Sequence, residues 1–208
     1  MLIVISGLIG AGKTTLCKSL KGKHFFEPVE NNPFLESYYK EPEKYAFKMQ
    51  MYLLLKRFEA MQAADWANLA GEDVIVDRSI YEDFQFALVQ QQSGYMTNKE
   101  FEIYEEYHTL MQRFLVFPDL ILHLDVTMDN LMDRINARNR DCEAGIPREY
   151  MESLQKAYDF IIPKLEKKCN LVKINANRGP EFVLEEAKRV IETYRPICAE
   201  YPRFKGGC

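Results

Sequence analysis

The sequence predicts an α/β protein in which five parallel strands form one sheet with helices on both faces. Short apolar runs alternate with longer stretches of helical periodicity along the chain, the pattern typical of a parallel sheet. A glycine-rich turn directly follows the first apolar run, and a hydrophobic share of 47% is enough for a full core. No linker, repeat or low-complexity tract interrupts the 208 residues, so we expect a single domain, 1–208.

The expected strands are the apolar runs near residues 2–6, 24–27, 73–77, 119–124 and 170–174. Helical patterns fill the intervals, near residues 13–22, 33–39, 43–70, 80–92, 98–117, 127–136, 147–168 and 181–194. Two further segments are expected to be irregular. A charged stretch at about 136–147 predicts a mobile lid, and residues 195–208, with two prolines and two glycines, predict an irregular tail.

A phosphate-binding loop is predicted where the first strand ends. A glycine, four residues and then Gly12-Lys13-Thr14 is the spacing of such a loop. Glycines let the backbone turn its N–H groups toward phosphate oxygens, Lys13 can reach the outer phosphates, and the Thr14 hydroxyl can ligate Mg²⁺. The helix that starts near Lys13 points its positive end at the same anion. We expect a nucleoside triphosphate to bind at Gly7, Gly10, Ala11, Gly12, Lys13, Thr14 and Thr15.

Charged residues follow the ends of two other strands, where parallel α/β sheets place their working residues. Glu27 ends the second strand because Pro28 cannot continue a central ladder, although it could also be a solvated loop carboxylate. Asp77 ends the third strand, where a phosphate-loop enzyme places a second carboxylate that faces Mg²⁺. Three arginines in and after the sixth helix are expected to contact phosphate, namely Arg134, Arg138 and Arg140.

Composition excludes several classes of function. The net charge of −4 argues against a protein that binds duplex nucleic acid, and no apolar run is long enough for a transmembrane helix. The first core strand leaves no room for a signal peptide. The five cysteines show no paired or metal-ligand spacing, so we expect free thiols in a reducing cytoplasm. His108 and His123 are interpreted as packed histidines rather than ligands.

Further short motifs stand beside the phosphate loop, namely Glu27-Pro28-Val29, Tyr39 with Pro42 and Tyr45, Gln50 with Arg57, Asp77-Arg78-Ser79 with Asp83, and the three arginines followed by Glu143-Ala144-Gly145-Ile146-Pro147. Together with the phosphate loop, these motifs resemble the deoxyribonucleoside kinase family, over Met1 to about Tyr194, and the resemblance implies a P-loop kinase fold. Residues 30–45 are most similar to the bacterial deoxyadenosine kinase-type members. Three positions depart from the family pattern, since Asn139 replaces a lid glycine, Asn32 a tryptophan, and Asp77 the commoner glutamate.

The resemblance implies that the γ-phosphoryl group of ATP, with Mg²⁺, is transferred to the 5′-hydroxyl of a deoxynucleoside. Glu27 would accept the hydroxyl proton, with Asp77 as the rival base whose other role is to bind the metal. Arg78 would stabilise charge on the phosphoryl group as it moves, and the lid arginines would close over the phosphates. Lys13 completes the catalytic set.

The same resemblance implies how the acceptor is held. Tyr39 and Glu143 would bind the sugar 3′-hydroxyl, and the Gln50 amide would hydrogen-bond the base edge. Arg57 and Asp83 would line the far side of the pocket. We rank deoxyadenosine first, deoxycytidine second for its similar amino edge, and thymidine last.

We also expect a cytoplasmic homodimer. The helices at 43–70 and 98–117 carry more apolar surface than one small sheet can cover, and relatives pair two such helices across a two-fold axis. Two other interpretations remain open. A thymidylate-type monophosphate kinase shares the fold but should place basic residues near its acceptor, where Glu27 lies. A non-catalytic nucleotide-binding subunit should have lost the catalytic carboxylates or arginines.

Overall fold

The computed structural model describes residues 1–27, 32–138 and 146–200, with the side chains of 198–200 excepted. The strands are β1 (Leu2–Ser6), β2 (Lys23–Phe25), β3 (Val74–Asp77), β4 (Leu120–Asp125) and β5 (Asn170–Asn175). The helices are α1 (Lys13–Ser19), α2 (Leu35–Lys40), α3 (Pro42–Leu69), α4 (Phe84–Gln92), α5 (Asn98–Gln112), α6 (Met128–Arg138), α7 (Arg148–Leu165) and α8 (Pro180–Glu200). A 3₁₀ turn, Ile80–Glu82, precedes α4.

The five strands form one parallel sheet in the order β2-β3-β1-β4-β5, which confirms the predicted fold class. The central strand β1 pairs with β3 on one side and β4 on the other. Ile5 of β1 aligns with Asp77, and Ser6 aligns with His123, so the carboxyl ends of all three strands meet. Strand order reverses at this point, which is where α/β sheets bind their ligands.

Alternate residues along the strands supply the two halves of the core. Ile3 and Ile5 of β1 face a cluster built with α1, α6, α7 and α8. Leu2 and Val4 face the opposite cluster, which contains Leu54 and Met61 of α3 and Tyr104 of α5. Because side chains alternate across a strand, a sheet buried on both faces needs a continuous apolar run, as β1 has.

Some predicted helix boundaries are wrong, and tertiary contacts explain two of them. The helix expected over 98–117 ends at Gln112, and the backbone N–H of Val116 instead donates to Asp65 Oδ2 at 3.0 Å. The helix expected over 80–92 is divided, because Ser79 and Glu82 cap a separate 3₁₀ turn before α4 begins.

The irregular tail predicted from residue 195 is wrong as far as Glu200, because α8 continues through Pro196. Arg195 Nη2 lies 2.8 Å from Asp73 Oδ2, and this ion pair ties the end of α8 to the start of β3. Residues 201–208 of the predicted tail lie outside the described residues. Among the helices described, none is long and apolar enough to cross a membrane.

Candidate active site

The phosphate-binding loop joins β1 to α1 and packs closely against α6. Gly10 has a φ of +81°, and a Cβ atom there would lie 3.0 Å from Cγ1 of Ile135, so glycine is needed at this position. Lys13 is buried, and its Nζ atom donates to the backbone oxygen of Leu8 at 2.8 Å. Burial, together with the Arg78 guanidinium, lowers the pKa of Lys13 to about 8.

Thr14 and Asp77, the two residues expected to hold Mg²⁺, meet beside this loop. The Thr14 hydroxyl donates to Asp77 Oδ2 at 2.5 Å. The other oxygen, Asp77 Oδ1, is buried and has no hydrogen-bond partner among the described residues. Burial raises the pKa of Asp77, although the Lys13 ammonium and the Thr14 hydrogen bond act against this rise. The pair therefore presents two oxygen atoms next to the expected phosphate position.

Arg78, directly after β3, connects the loop to Glu27. Its Nη2 atom donates to the Gly7 carbonyl at 3.2 Å, and its Nε atom donates to Glu27 Oε2 at 3.1 Å. Its backbone has a φ of +68°, and it is the one non-glycine residue with positive φ in the described part of the chain. Such a conformation is strained and persists where surrounding contacts hold it, often at functional sites.

Two guanidinium groups hold the Glu27 carboxylate, which lies two residues beyond the end of β2. Arg57 Nη2 donates to Glu27 Oε1, and Arg78 donates to the other oxygen. Burial alone would raise the pKa of Glu27, but the positive charges of Arg78, Arg57 and Lys13 lower it to about 2. Glu27 is therefore ionised at neutral pH, and it is not the solvated loop carboxylate that the sequence left open.

A chain of buried polar groups orders the Gln50 amide. Gln50 Nε2 donates to Asp83 Oδ2 at 2.7 Å, and Gln90 Nε2 donates to Gln50 Oε1 at 3.1 Å. Tyr104 also donates to Asp83 Oδ2, at 2.5 Å, and Arg57 forms an ion pair with the same carboxylate. An ionised carboxylate only accepts hydrogen bonds, so Asp83 determines which end of the Gln50 amide faces it.

A family model described as deoxynucleoside kinase matches residues 3–199. The chain belongs to the deoxynucleoside kinase family. As a deoxynucleoside kinase, it transfers a phosphoryl group from ATP to a deoxynucleoside. The predicted family, activity and P-loop kinase fold are thus confirmed, and the comparisons give the thymidylate-type alternative no support.

Relatives with different base preferences are about equally similar to this deoxynucleoside kinase. A deoxyadenosine kinase of Dictyostelium discoideum is 38% identical over 93% of this chain and 80% of its own. A deoxyguanosine kinase of Lactobacillus acidophilus is 38% identical over 91% of this chain and 86% of its own. Solved structures of the deoxyadenosine kinase of M. mycoides, with dCTP or with dCMP and dCDP, cover 93% of this chain and all of that one, at 29–30% identity and TM-scores of 0.81 and 0.83.

The arginines of α6 face a cavity of about 530 Å³ beside the phosphate loop of the kinase. Arg134 donates to the backbone oxygens of Ala11 and Ala176, at 3.4 and 2.6 Å, and Arg138 lines the same cavity. Arg178, just before α8, lines it as well. The predicted Arg140 and Glu143, with most of the expected lid, lie outside the described residues.

Tyr39, the residue expected to bind the sugar, packs beside another tyrosine. It lies on α2 with 44% of its surface exposed, and its ring centroid is 5.4 Å from that of the buried Tyr38. The ring of Phe86, which the sequence did not single out, lies 4.7 Å from the Arg78 guanidinium and 5.4 Å from that of Arg57.

Sequence reasoning missed several buried polar residues that support this site. One of them, Glu82, stands at capping-box spacing from Ser79, a signal for a helix start and not for a site, and the partners of all of them become visible only when the helices pack. They are Glu82, Gln90, Tyr104 and Tyr158. His123, predicted to be a packed histidine, does lie in the core, with Nδ1 2.8 Å from the Ser6 hydroxyl oxygen.

We expect His123 to make the kinase less stable as the pH falls from about 6.5 to 4. Burial lowers the pKa of His123 to about 4 from 6.5, so the unfolded chain binds a proton in this range and the native protein does not. The shift corresponds to about 3 kcal/mol of unfolding free energy. Urea unfolding at several pH values should show a smaller loss for His123→Asn, whose amide can still donate to Ser6.

Two other groups define the controls for this measurement. Burial also lowers the pKa of His108, so part of the loss between pH 6.5 and 4 should remain in the variant. Glu27, with a pKa of about 2 against 4.5, loses its contribution only below pH 4.5. Equal pH slopes for the variant and the natural protein above pH 4.5 would contradict the assignment to His123.

Proposed function

We propose that this deoxynucleoside kinase acts preferentially on deoxyadenosine and converts it to the 5′-monophosphate. The observation that carries the proposal is the Gln50 amide, which is fully buried and is held in one orientation by Asp83 and Gln90. Gln50 Nε2 also donates to the Asp83 backbone oxygen at the long distance of 3.4 Å, so a base would bind by taking over that N–H and by donating to the remaining lone pair of Oε1. Deoxycytidine ranks second.

Base chemistry explains this ranking. Adenine and cytosine each present an amino donor beside an unprotonated ring nitrogen, whereas guanine and thymine present a carbonyl acceptor beside a ring N–H. When the base lies in a given pose, an amide held in one orientation can pair with only one of these two arrangements of donor and acceptor. A base with the reverse arrangement is left mismatched. Overall identity does not separate the two orders, but the matching solved structures are of a deoxyadenosine kinase and residues 30–45 resemble the deoxyadenosine kinase-type members, which supports the adenine order.

We assign the proton acceptor to Glu27. Its two arginine partners keep it ionised, and it lies next to the phosphate loop through Arg78. A pKa of about 2 makes it a weak base, but phosphoryl transfer with a loose transition state needs little proton removal before the phosphoryl group moves. Arg78 would stabilise charge on that group, and Lys13 would hold the outer phosphates.

The residues present fit a Mg²⁺ ion bound together with ATP. Mg²⁺ is commonly held by one or two protein oxygens plus substrate phosphates, and Asp77 Oδ1 is a buried oxygen with no partner among the described residues. Thr14 and Asp77 would hold the ion, which when bound would neutralise phosphate charge.

The remaining assignments follow the family resemblance. Tyr39 and Glu143 would bind the 3′-hydroxyl, while Arg57 and Asp83 would complete the base pocket. Arg134, Arg138 and Arg140 would contact the phosphates of ATP. We also place the enzyme in the cytoplasm, where ATP is available, and Cys17 and Cys169 are free thiols as that compartment requires.

We further propose a homodimer formed through α3 and α5. Apolar side chains recur along one face of α5 at i, i+4, i+7 and i+11, and they remain exposed. The exposed fraction reaches 73% at Trp66 of α3 and 68% at Phe114, just after α5. Helix α5 packs beside α3, so a second copy could cover both faces through an isologous contact. The α5 side chains are Ile103, Tyr107 and Leu110, followed by Phe114.

Replacing Glu27 with Gln should lower turnover by roughly 10² or more, because the amide keeps the shape but loses the basicity. ATP affinity, measured by equilibrium titration, should barely change. Asp77→Asn serves as the parallel variant. Near-normal turnover of Glu27→Gln would assign the base to Asp77 instead.

A panel of the four natural deoxynucleosides should give the highest kcat/KM with deoxyadenosine. A buried polar mismatch costs on the order of 1–3 kcal/mol, which predicts a roughly ten- to hundred-fold disadvantage for deoxyguanosine and thymidine. Gln90→Leu removes one of the two partners that orient the Gln50 amide, so it should reduce the difference in kcat/KM between deoxyadenosine and these two substrates. The ranking is wrong if deoxyguanosine or thymidine is the best substrate.

The mass in solution at micromolar concentration should be that of a dimer. Phe114→Glu should give a monomer by placing a charge in the contact. Phe160→Glu is a matched control, since Phe160 is 59% exposed but lies on α7. A monomeric natural protein, or equal dissociation by both variants, would refute this interface.

A further inference from the structure

The hydroxyl of Tyr158 lies between Arg78 and a second buried carboxylate, Glu82. Arg78 Nη1 donates to the Tyr158 oxygen at 2.5 Å, and the Tyr158 hydroxyl donates to Glu82 Oε2 at 3.2 Å. Tyr158 and Glu82 are both 0% exposed, and Arg78 is 3% exposed. The three residues come from different parts of the chain, namely α7, the end of β3 and the 3₁₀ turn.

Other hydrogen bonds hold Glu82 in place. Ser6 donates to Glu82 Oε2 at 2.6 Å, and the Ser79 hydroxyl lies 3.4 Å from Oε1. Because the single Ser6 proton goes to Glu82, His123 must donate its Nδ1 proton to the Ser6 oxygen. Ser6, Ser79 and Tyr158 therefore all donate to Glu82, so the carboxylate is a fixed anchor next to the end of β1.

We propose that Tyr158, anchored by Glu82, is a positioning residue for Arg78. The inference rests on the proposed function, in which Arg78 stabilises charge on the moving phosphoryl group. Glu27, which holds Arg78 Nε, must take up a proton during the reaction and cannot then hold the guanidinium as firmly. The contacts of Nη1 with Tyr158 and of Nη2 with the Gly7 carbonyl keep it in place throughout.

Tyr158→Phe removes the hydroxyl and leaves the ring. We expect kcat to fall by about 10- to 100-fold, the scale of a small misplacement of a catalytic group, with the KM values for ATP and deoxynucleoside nearly unchanged. The matched control is Tyr81→Phe. Tyr81 is also buried, belongs to the same 3₁₀ turn as Glu82 and stacks on Phe117 at 4.3 Å, away from Arg78. Its kcat should stay normal even if the melting temperature falls.

A double-mutant cycle with Arg78→Lys separates this inference from the proposed function. If Tyr158 acts through Arg78, Tyr158→Phe should change kcat little once Arg78 is replaced. Equal losses in both backgrounds would overturn the positioning role. Normal kcat in Arg78→Lys alone would instead refute the proposed role of Arg78.

Glu82→Leu provides a second variant, since it removes the anchor and keeps the Tyr158 hydroxyl. We expect the same fall in kcat, with partial recovery in Glu82→Gln, whose amide oxygen can still accept from Tyr158. If Tyr158→Phe does not fold, the two Glu82 variants test the proposal instead. Folded Glu82 variants with normal kcat would overturn the proposal.

Discussion

The candidate site depends on two buried guanidinium groups that share one carboxylate. Arg57 and Arg78 both bind Glu27, and each also binds a second partner. Arg57 forms an ion pair with Asp83, and Arg78 donates to the Gly7 carbonyl. Burying charge is costly unless each ion is paired and hydrogen-bonded, so these groups stabilise the fold only as a set. The proposed base pocket and the phosphate loop are therefore connected through Glu27, and a change at one end alters the electrostatics of the other.

Most of the fold could be predicted because the signal is local. Each strand is a short apolar run between helical patterns, and all five strands were expected within one or two residues of their observed bounds. The boundaries that differ are set by distant partners. Asp65 accepts a hydrogen bond from the N–H of Val116, and Asp73 forms an ion pair with Arg195. Neither contact can be predicted from the residues close to the boundary.

The site divides in the same way. Glu27, Asp77 and Arg78 could be identified because strand ends and motif spacing marked them, and the structure brings all three to the phosphate loop. Gln90 and Tyr158 could not be identified in this way. A polar residue on a helix gives no sign of its role until the packing of that helix is known. The roles of such supporting residues can be predicted only from the tertiary structure, whereas the positions of residues at strand ends can be predicted from the topology of the sheet.

The close contact between Gly10 and Ile135 means that the phosphate loop and α6 restrict each other's position. A Cβ atom at Gly10 would lie 3.0 Å from Ile135 Cγ1 and 3.2 Å from the Leu131 carbonyl, so the loop backbone lies directly against the helix that carries Arg134 and Arg138. Position 135 must then keep a side chain close to isoleucine in size. A larger residue at 135 would push the loop out of shape, and a smaller one would leave a gap beneath the phosphates. The size of Ile135, a side chain that takes no part in the reaction, thus limits the geometries that the phosphate loop can adopt.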